Sequence, residues 1–441
     1  MDLNTIKTPK TTNFIQNLRG IITVGPDKSI SHRSLIISAL AVGESKISNL
    51  LEGEDVLCTK SALELAGVTI TKVSDSEYIV NGVGILGLRE PKNILYLGNS
   101  GTSTRLLMGL FAPYDYNTFF AGDSSLSGRP MARVVLPLSE MGARFFYRSE
   151  FKLPLMMKGS SNLMPIHHEM NVPSAQVKSA IILAATQILG TTTIIESEET
   201  RDHTERMLSK FGADISKSGS KITIKGGKNL IPQSLTIPND PSSAAFFVVA
   251  ALITKNSDIT IKNVCINKTR TGLFDVLKRM GGNIEYQNIR TECGEEIADI
   301  NAQSSSLNGI EIEPEIAPSM IDEYPILSIA ATFAKGLTKM TGLKELVAKE
   351  SNRLLSVSNG LTACNISHTA DMQNYSLTVH GNNGQCIDGS NATIETNHDH
   401  RIAMSFSILG LMSNHGVTVD DTSMIKTSFP QFFETLEKLR G

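Results

Sequence analysis

Apolar and polar positions along the 441-residue chain follow one plan that recurs six times. Each segment opens on a small or polar run and passes into an apolar stretch rich in Ala, Leu and Ile. It then reaches a Gly and ends in a short β-rich run. The openings lie near Ser29, Gly101, Ser174, Ser242, Asp322 and Asp399, at intervals of 68 to 80 residues. An apolar stretch behind a polar cap reads as the first turns of a helix. A second helical pattern follows in every segment and closes on a Gly: Gly67, Gly142, Gly212, Gly281, Gly360 and Gly441. Gly just past a helix takes a positive φ without steric cost, so each is predicted to be a helix stop. Runs such as Ile222-Thr-Ile-Lys and Ile259-Thr-Ile-Lys alternate apolar with polar, as half-buried strands do. The predicted unit is strand, helix, strand, helix, then a strand or hairpin. Self-similarity at a fixed period marks a repeat architecture. Six units group as two domains of three, with a boundary near Pro238-Asn239-Asp240-Pro241, where Pro and Asn favour a turn.

Composition narrows the function. The chain is 41% apolar and 19% charged, ordinary for a globular protein large enough to need no disulfide or metal staple. Lys and Arg total 41 against 44 Asp and Glu, a net charge of −3. Nonspecific nucleic-acid binding needs a basic excess, and the lack of Trp leaves few platforms for base stacking. The longest apolar run, Ala244 to Ile253, is too short to cross a bilayer. Met1 to Gln16 has neither the apolar core nor the cleavage pattern of a signal peptide. The cysteines, Cys58, Cys265, Cys293, Cys364 and Cys386, are odd in number and form no CxxC pair. They indicate a reducing compartment with neither a disulfide framework nor a zinc site. The expected location is the cytoplasm, with no membrane or nucleic-acid partner.

Cations fall at equivalent points of the repeats. Lys28, Ser29 and Arg33 open the first; Asn99, Gly101, Thr102 and Arg105 open the second, with Arg129 at the start of its second helix. Ser174, Ala175, Gln176 and Lys178 open the third, with Arg201 at its second helix. The fifth carries Asp322, then Lys349, Glu350 and Arg353; the sixth carries His400 and Arg401, then Lys426. Helix N-termini present unpaired N–H groups and a partial positive charge, so several together form an anion site. So many cations imply a substrate with several negative charges, and the Arg fork suits phosphate and carboxylate. Asp322 and Glu350 have two readings from sequence: partners of neighbouring cations, or groups that move protons.

Other motifs fail. Gly20 to Gly25 followed by Lys28-Ser29 resembles a nucleotide-binding loop, but Pro26 and Asp27 spoil the spacing. No GxSxG elbow follows a strand. His398 and His400 flank Asp399 without a third ligand, so no metal is expected. His167-His168 reads as an exposed, Pro-bounded loop. The acceptor-like triplets at Asn267, Asn365 and Asn391 carry no meaning without a secretory signal.

Nine segments in order resemble the 5-enolpyruvylshikimate-3-phosphate (EPSP) synthase family over nearly the whole chain. They are Asp27-Lys-Ser-Ile-Ser-His-Arg33, Leu97-Gly-Asn-Ser-Gly-Thr102, Gly128-Arg-Pro-Met131, Ser174-Ala-Gln-Val-Lys-Ser179 and Arg201-Asp-His-Thr-Glu-Arg206. The others are Met320-Ile-Asp-Glu-Tyr-Pro325, Lys349-Glu-Ser-Asn-Arg353, Asp399-His-Arg-Ile-Ala-Met404 and Thr427-Ser-Phe-Pro430. Ser174-Ala175-Gln176 together with Met320 to Pro325 is similar to the bacterial class II branch. The resemblance implies an α/β fold, the inverted α/β barrel of two domains, each with three βαβαββ units. Residues 25–239 would form one domain and 1–24 with 240–441 the other, with the active site in the cleft between them.

The implied reaction moves an enolpyruvyl group from phosphoenolpyruvate to the 5-hydroxyl of shikimate-3-phosphate, without cofactor or metal, in a monomer. By resemblance, Lys28, Ser29, Arg33, Ser174, Ala175, Gln176, Arg201, Asp322 and Lys349 would hold shikimate-3-phosphate. Lys28, Gly101, Arg129, Gln176, Arg353, Arg401 and Lys426 would hold phosphoenolpyruvate. Asp322, Glu350 and Lys28 would be catalytic, with Asp322 taking the hydroxyl proton and Glu350 protonating the methylene carbon. Three departures stand out. Gly25-Pro26 reverses the family's usual Pro-Gly order and is expected to alter the loop at Lys28. Asn352 stands where an acid is usual. Lys426 lies where the class II pattern varies. Glyphosate-tolerant class II relatives carry Ala in place of Gly101, so stronger inhibition is expected here. The alternatives are the sister transferase acting on UDP-N-acetylglucosamine and a noncatalytic phosphometabolite binder. The first typically has a Cys before the Arg matching Arg129, and Gly122 to Arg129 has none. The second gives no reason to keep Asp322 and Glu350.

Overall fold

The computed structural model describes residues 7–389 and 392–440. Asn391 and the last predicted stop, Gly441, lie outside the described residues. The chain divides into two compact units. One comprises Pro26–Pro238 with Thr291–Glu295; the other comprises Met1–Gly25, Asn239–Arg290 and Glu296–Gly441. The sequence carries no sign that Thr291–Glu295 belongs with the first of these.

In the first unit, three sheets share one strand order. Strand Leu95–Tyr96 runs parallel to Asn117–Ala121, which pairs antiparallel with Leu155–Lys158, itself antiparallel to Arg144–Tyr147. The same pattern joins His167–Glu169, Gly190–Ile195, Lys221–Gly226 and Asp214–Ser218. It also joins Ser234–Thr236, Val42–Ser48, Glu77–Val83 and Thr69–Ser74. Ser234–Thr236 follows the third repeat and completes the sheet of the first. The long helices Lys28–Leu40, Gly101–Phe111 and Ala175–Thr186 are buried along most of their length. A Cβ at Gly109 would collide with the backbone of Ala180, so the last two approach at backbone distance.

The second unit repeats the design. Arg19–Ile22 runs parallel to Asp258–Cys265, which pairs antiparallel with Glu295–Gln303. Glu311–Ile312, Lys335–Met340, Ser376–Asn382 and His368–Asp371 form the next sheet. The last has three strands, Thr393–Ile394, Val417–Val419 and the N-terminal Lys10–Thr12. Each unit therefore carries three sheets in which a parallel strand pair is extended by antiparallel pairing, an α/β fold. Two of the three parallel pairs in each unit are joined by a helix, and the third takes its partner from a distant part of the chain. Helix Pro241–Ile253 is buried at every position, which explains an all-apolar run with no amphipathic face. No helix among the described residues is long and apolar enough to cross a membrane.

The six apolar stretches form helices beginning at Lys28, Gly101, Ala175, Pro241, Tyr324 and His400. Gly67, Gly142, Gly212 and Gly281 follow second helices with φ of +90°, +122°, +85° and +96°. Gly360 breaks the expectation. It lies inside helix Arg353–Ala363, and the positive φ falls at Asn365 (+56°). A Cβ at Gly360 would run into the buried Phe406 ring, so this Gly serves packing. His167 and His168 belong to strand His167–Glu169, where the sequence suggested a loop; His167 is exposed and His168 half-buried.

Candidate active site

In the unit built on Pro26–Pro238, the polar residues at the starts of the three long helices converge. Asp27 caps the first helix, its Oδ1 accepting from Ile30 N at 2.8 Å. The reversed Gly25-Pro26 order therefore leaves a working cap immediately before Lys28. Lys28 Nζ lies 3.0 Å from Asp55 Oδ2. Ser100 caps the second helix at Ser103 N, and Ser174 caps the third at Val177 N. Between the second and third, Arg105 Nη1 donates to Gln176 Oε1 at 2.6 Å and Gln176 Nε2 donates to Thr102 Oγ1 at 3.0 Å. Arg129 does not start a helix. It sits in the turn between Ser124–Gly128 and Ala132–Met141, and its Nη2 donates to Asn99 Oδ1. Asn99 in turn donates to Asp123 at 2.8 Å. Gly101 lies against both cations: a Cβ there would sit 2.8 Å from Arg105 Nη1 and 3.1 Å from Arg129 Nη1.

Arg33 is buried, donating to Thr204 Oγ1 at 2.7 Å, Ser29 O at 2.9 Å and Ser179 Oγ at 2.9 Å. These bonds tie together the helices beginning at Lys28, Ala175 and His203. Arg201 precedes helix His203–Lys210 by two residues and is half-buried. Nearby, Asp202, His203 and Glu295 come together, but Arg206 Nε already lies 2.8 Å from Asp202 and 3.9 Å from Glu295.

In the other unit, Arg353 is the centre. Its Nη1 donates to Asp322 Oδ1 at 2.9 Å, its Nε donates to Asp399 Oδ2 at 2.8 Å, and its Nη2 contacts Glu350 Oε2. Lys349 Nζ is 3.2 Å from Asp322 Oδ1. Arg353 is 1% exposed, and burial alone would lower its pKa; Asp399, Glu350 and Asp322 outweigh burial and raise it. Arg401 Nη1 donates to Asp322 O at 3.1 Å and Glu323 Oε1 at 3.0 Å. Asn352 caps helix Arg353–Ala363, its Oδ1 accepting from Leu355 N at 3.1 Å. An amide therefore performs the capping an acid would, without its charge. Lys426 is exposed on the turn Ser423–Thr427.

Asp322, Lys349, Glu350, Arg353 and Arg401 thus form one cluster, while Lys28, Gly101, Arg129 and Gln176 border the converging helix starts of the other unit. Sequence reasoning did not find Asp399 as a partner of Arg353 or Asn99 as a partner of Arg129. The one available signal for Asp399 was its position as a helix cap. Chemically, the first cluster offers carboxylates beside fixed cations, and the second offers cations and helix N-termini.

The model of the EPSP synthase (3-phosphoshikimate 1-carboxyvinyltransferase) family matches residues 12–436. The chain belongs to the EPSP synthase family. It is 49% identical to the 3-phosphoshikimate 1-carboxyvinyltransferase of Sphingopyxis alaskensis, covering 98% of each chain. A second relative of that name, from Pseudomonas sp. (strain PG2982), is 47% identical over 98% of this chain and 96% of its own. Among solved structures, EPSP synthase from Acinetobacter baumannii superposes with a TM-score of 0.87 at 40% identity, covering 98% of both chains. The family membership favours neither the sugar-nucleotide transferase nor a binding protein without activity.

Proposed function

We propose that this EPSP synthase transfers the enolpyruvyl group of phosphoenolpyruvate to the 5-hydroxyl of shikimate-3-phosphate, as a cytoplasmic monomer that needs no cofactor. The observation that carries the reading is Arg353 held between Asp322 and Glu350, with Lys349 beside Asp322. Carboxylates suited to proton transfer stand next to cations suited to anionic substrates.

In this reading, Lys28, Ser29, Arg33, Ser174, Ala175, Gln176, Arg201, Asp322 and Lys349 hold shikimate-3-phosphate. Lys28, Gly101, Arg129, Gln176, Arg353, Arg401 and Lys426 hold phosphoenolpyruvate. The cations offset the repulsion between two anions, and binding fixes the hydroxyl near the enol carbon. Arg33 acts from beneath, since its bonds to Ser29, Ser179 and Thr204 fix the helix starts that carry Ser29 and Ser174.

The chemistry then runs in two stages. The Asp322 carboxylate accepts the proton of the 5-hydroxyl as its oxygen bonds to C2 of phosphoenolpyruvate. Glu350, protonated, donates to C3, which becomes a methyl, giving a tetrahedral ketal phosphate. Glu350 as carboxylate then removes a methyl proton, the C–O bond to phosphate breaks, the departing phosphate takes up the proton held by Asp322, and the enolpyruvyl ether and phosphate are released. Lys28 supports the developing charge on the leaving phosphate.

The test is phosphate release with both substrates together, with each alone, and with UDP-N-acetylglucosamine in place of shikimate-3-phosphate. Release should require both named substrates and fall by roughly two to four orders of magnitude in Glu350→Gln, the range for a lost general acid–base. Release with the sugar nucleotide instead would overturn the assignment.

A further inference from the structure

We propose that the buried Lys178–Glu196 pair positions Arg201, acting through Thr200. The proposal rests on the reading of Arg201 as a shikimate-3-phosphate ligand. Arg201 lies in the irregular segment 196–202, between strand Gly190–Ile195 and helix His203–Lys210. Such a segment has no ladder to fix it, so its backbone groups need other partners.

Thr200 supplies the connection. Glu196 Oε1 accepts from Thr200 N at 3.1 Å and from Thr200 Oγ1 at 2.6 Å. Lys178 Nζ donates to Thr200 O at 3.3 Å and to Glu196 Oε1 at 2.9 Å. Both backbone polar groups of the residue before Arg201 are therefore held by one ion pair. Lys178 is fully buried and also lies 2.7 Å from Glu205 Oε1, while Lys217 Nζ lies 3.5 Å from Glu196 Oε2. One helix residue on, Ser179 Oγ is 2.7 Å from Thr204 Oγ1. Thr200 and Thr204 bracket Arg201, and both are tied to helix Ala175–Thr186. That helix begins at its cap Ser174 with Ala175 and Gln176, three more of the residues assigned to the same substrate.

Stability alone is a poor reason for this arrangement. A buried ion pair loses hydration, and apolar residues of equal volume often serve a core as well or better. An apolar pair could not hold both an N–H and a carbonyl of an irregular segment. The geometry thus matches a device that fixes where Arg201 starts relative to Ser174 and Gln176.

The experiment is steady-state kinetics on the whole enzyme with Thr200→Val, which keeps the branched shape and deletes the hydroxyl. The KM for shikimate-3-phosphate should rise roughly tenfold, as for a lost hydrogen bond to a charged group. The KM for phosphoenolpyruvate and kcat should stay within about twofold, and Thr200→Ser should restore the wild-type KM. In an Arg201→Ala background, Thr200→Val should add almost nothing, because the group it positions is gone. Glu196→Gln should give the same signature and stands in if Thr200→Val proves unstable by circular dichroism. An unchanged KM in stably folded Thr200→Val, or an equal rise without Arg201, overturns the proposal. An Arg201→Ala enzyme with normal KM would instead overturn the ligand assignment beneath it, and a wild-type protein without turnover would overturn the proposed function.

Discussion

Arg353 meets a carboxylate at each of its three nitrogens, and only part of that arrangement is readable from the chain. Lys349, Glu350 and Arg353 are close in sequence, and Asp322 stands in a recognisable motif. Asp399 comes from a segment whose approach to Arg353 no local pattern records. The sequence left open whether Asp322 and Glu350 pair with cations or move protons. The contacts show that pairing is present, and in the proposed reaction the same groups also carry the protons. Gly101 is the complementary case, where a missing side chain matters. Its Cβ direction points at the tips of Arg105 and Arg129, 2.8 Å and 3.1 Å away. These are ends of long side chains that can give way, so Gly101→Ala should fold normally. The displaced guanidinium groups are those assigned to phosphoenolpyruvate or beside it. We expect the KM for phosphoenolpyruvate to rise about threefold and glyphosate inhibition to weaken by more than tenfold, roughly what one misplaced methyl can do in a tight site. Parallel inhibition curves for the wild type and Gly101→Ala would check this, and unchanged tolerance would remove Gly101 from the inhibitor's site.

Elements were legible where periodicity and punctuation agree. The polar openings mark the long helices because each helix is buried and five of the six are capped by the side chain of the residue before them, the exception being Tyr324–Thr332. Four Gly stops show the expected positive φ, but Gly360 does not, because sequence alone cannot separate a Gly needed for its φ from one needed for its lack of a Cβ. The closure of the last sheet by the N-terminus was also hidden, since three residues, Lys10–Thr12, carry no strand pattern. That closure has an acid-sensitive anchor. Lys7 Nζ lies 2.6 Å from Asp420, and Thr8 N and Oγ1 donate to Asp421 at 3.1 and 3.0 Å. Burial would raise both carboxyl pKa values. Bonds from Lys7 and Thr396 at Asp420, and from Ser423 and Thr8 at Asp421, outweigh it and lower them. A folded-state pKa below the unfolded value stabilises the fold above that unfolded value, about 4, and the stabilisation disappears as pH falls through the folded pKa. Amide protection factors in Lys10–Thr12, corrected for intrinsic exchange, should therefore hold at neutral pH and drop below about pH 4. Helix His400–Gly410, buried along its length, should keep its protection over the same interval. Equal loss in both would mean that the unit unfolds as a whole and the N-terminal anchor has no separate role.

At the scale of the molecule, net charge and local charge oppose each other. The chain carries −3 overall, which repels anions at long range. Each unit nevertheless gathers cations near helix starts: Lys28, Arg105 and Arg129 in one, Lys349, Arg353 and Arg401 in the other. Screening decides which field a substrate feels. At about 0.15 M salt the Debye length is about 8 Å, so a distant surface charge is muted while a cation within contact distance is not. If the net charge governed encounter, adding salt would weaken the repulsion and raise kcat/KM. If the gathered cations govern it, salt should lower kcat/KM for both anionic substrates. The second outcome is expected, because attraction acts at the place of binding and the opposing charges are spread over the surface. Between low salt and about 0.5 M potassium chloride, kcat/KM should fall by about threefold or more for each substrate. Neutralising exposed Lys426 to Met should flatten the phosphoenolpyruvate dependence more than the shikimate-3-phosphate dependence, given its assignment to the former. A rise with salt in the wild type would show that the anion-binding residues act only after contact and do not draw substrates in.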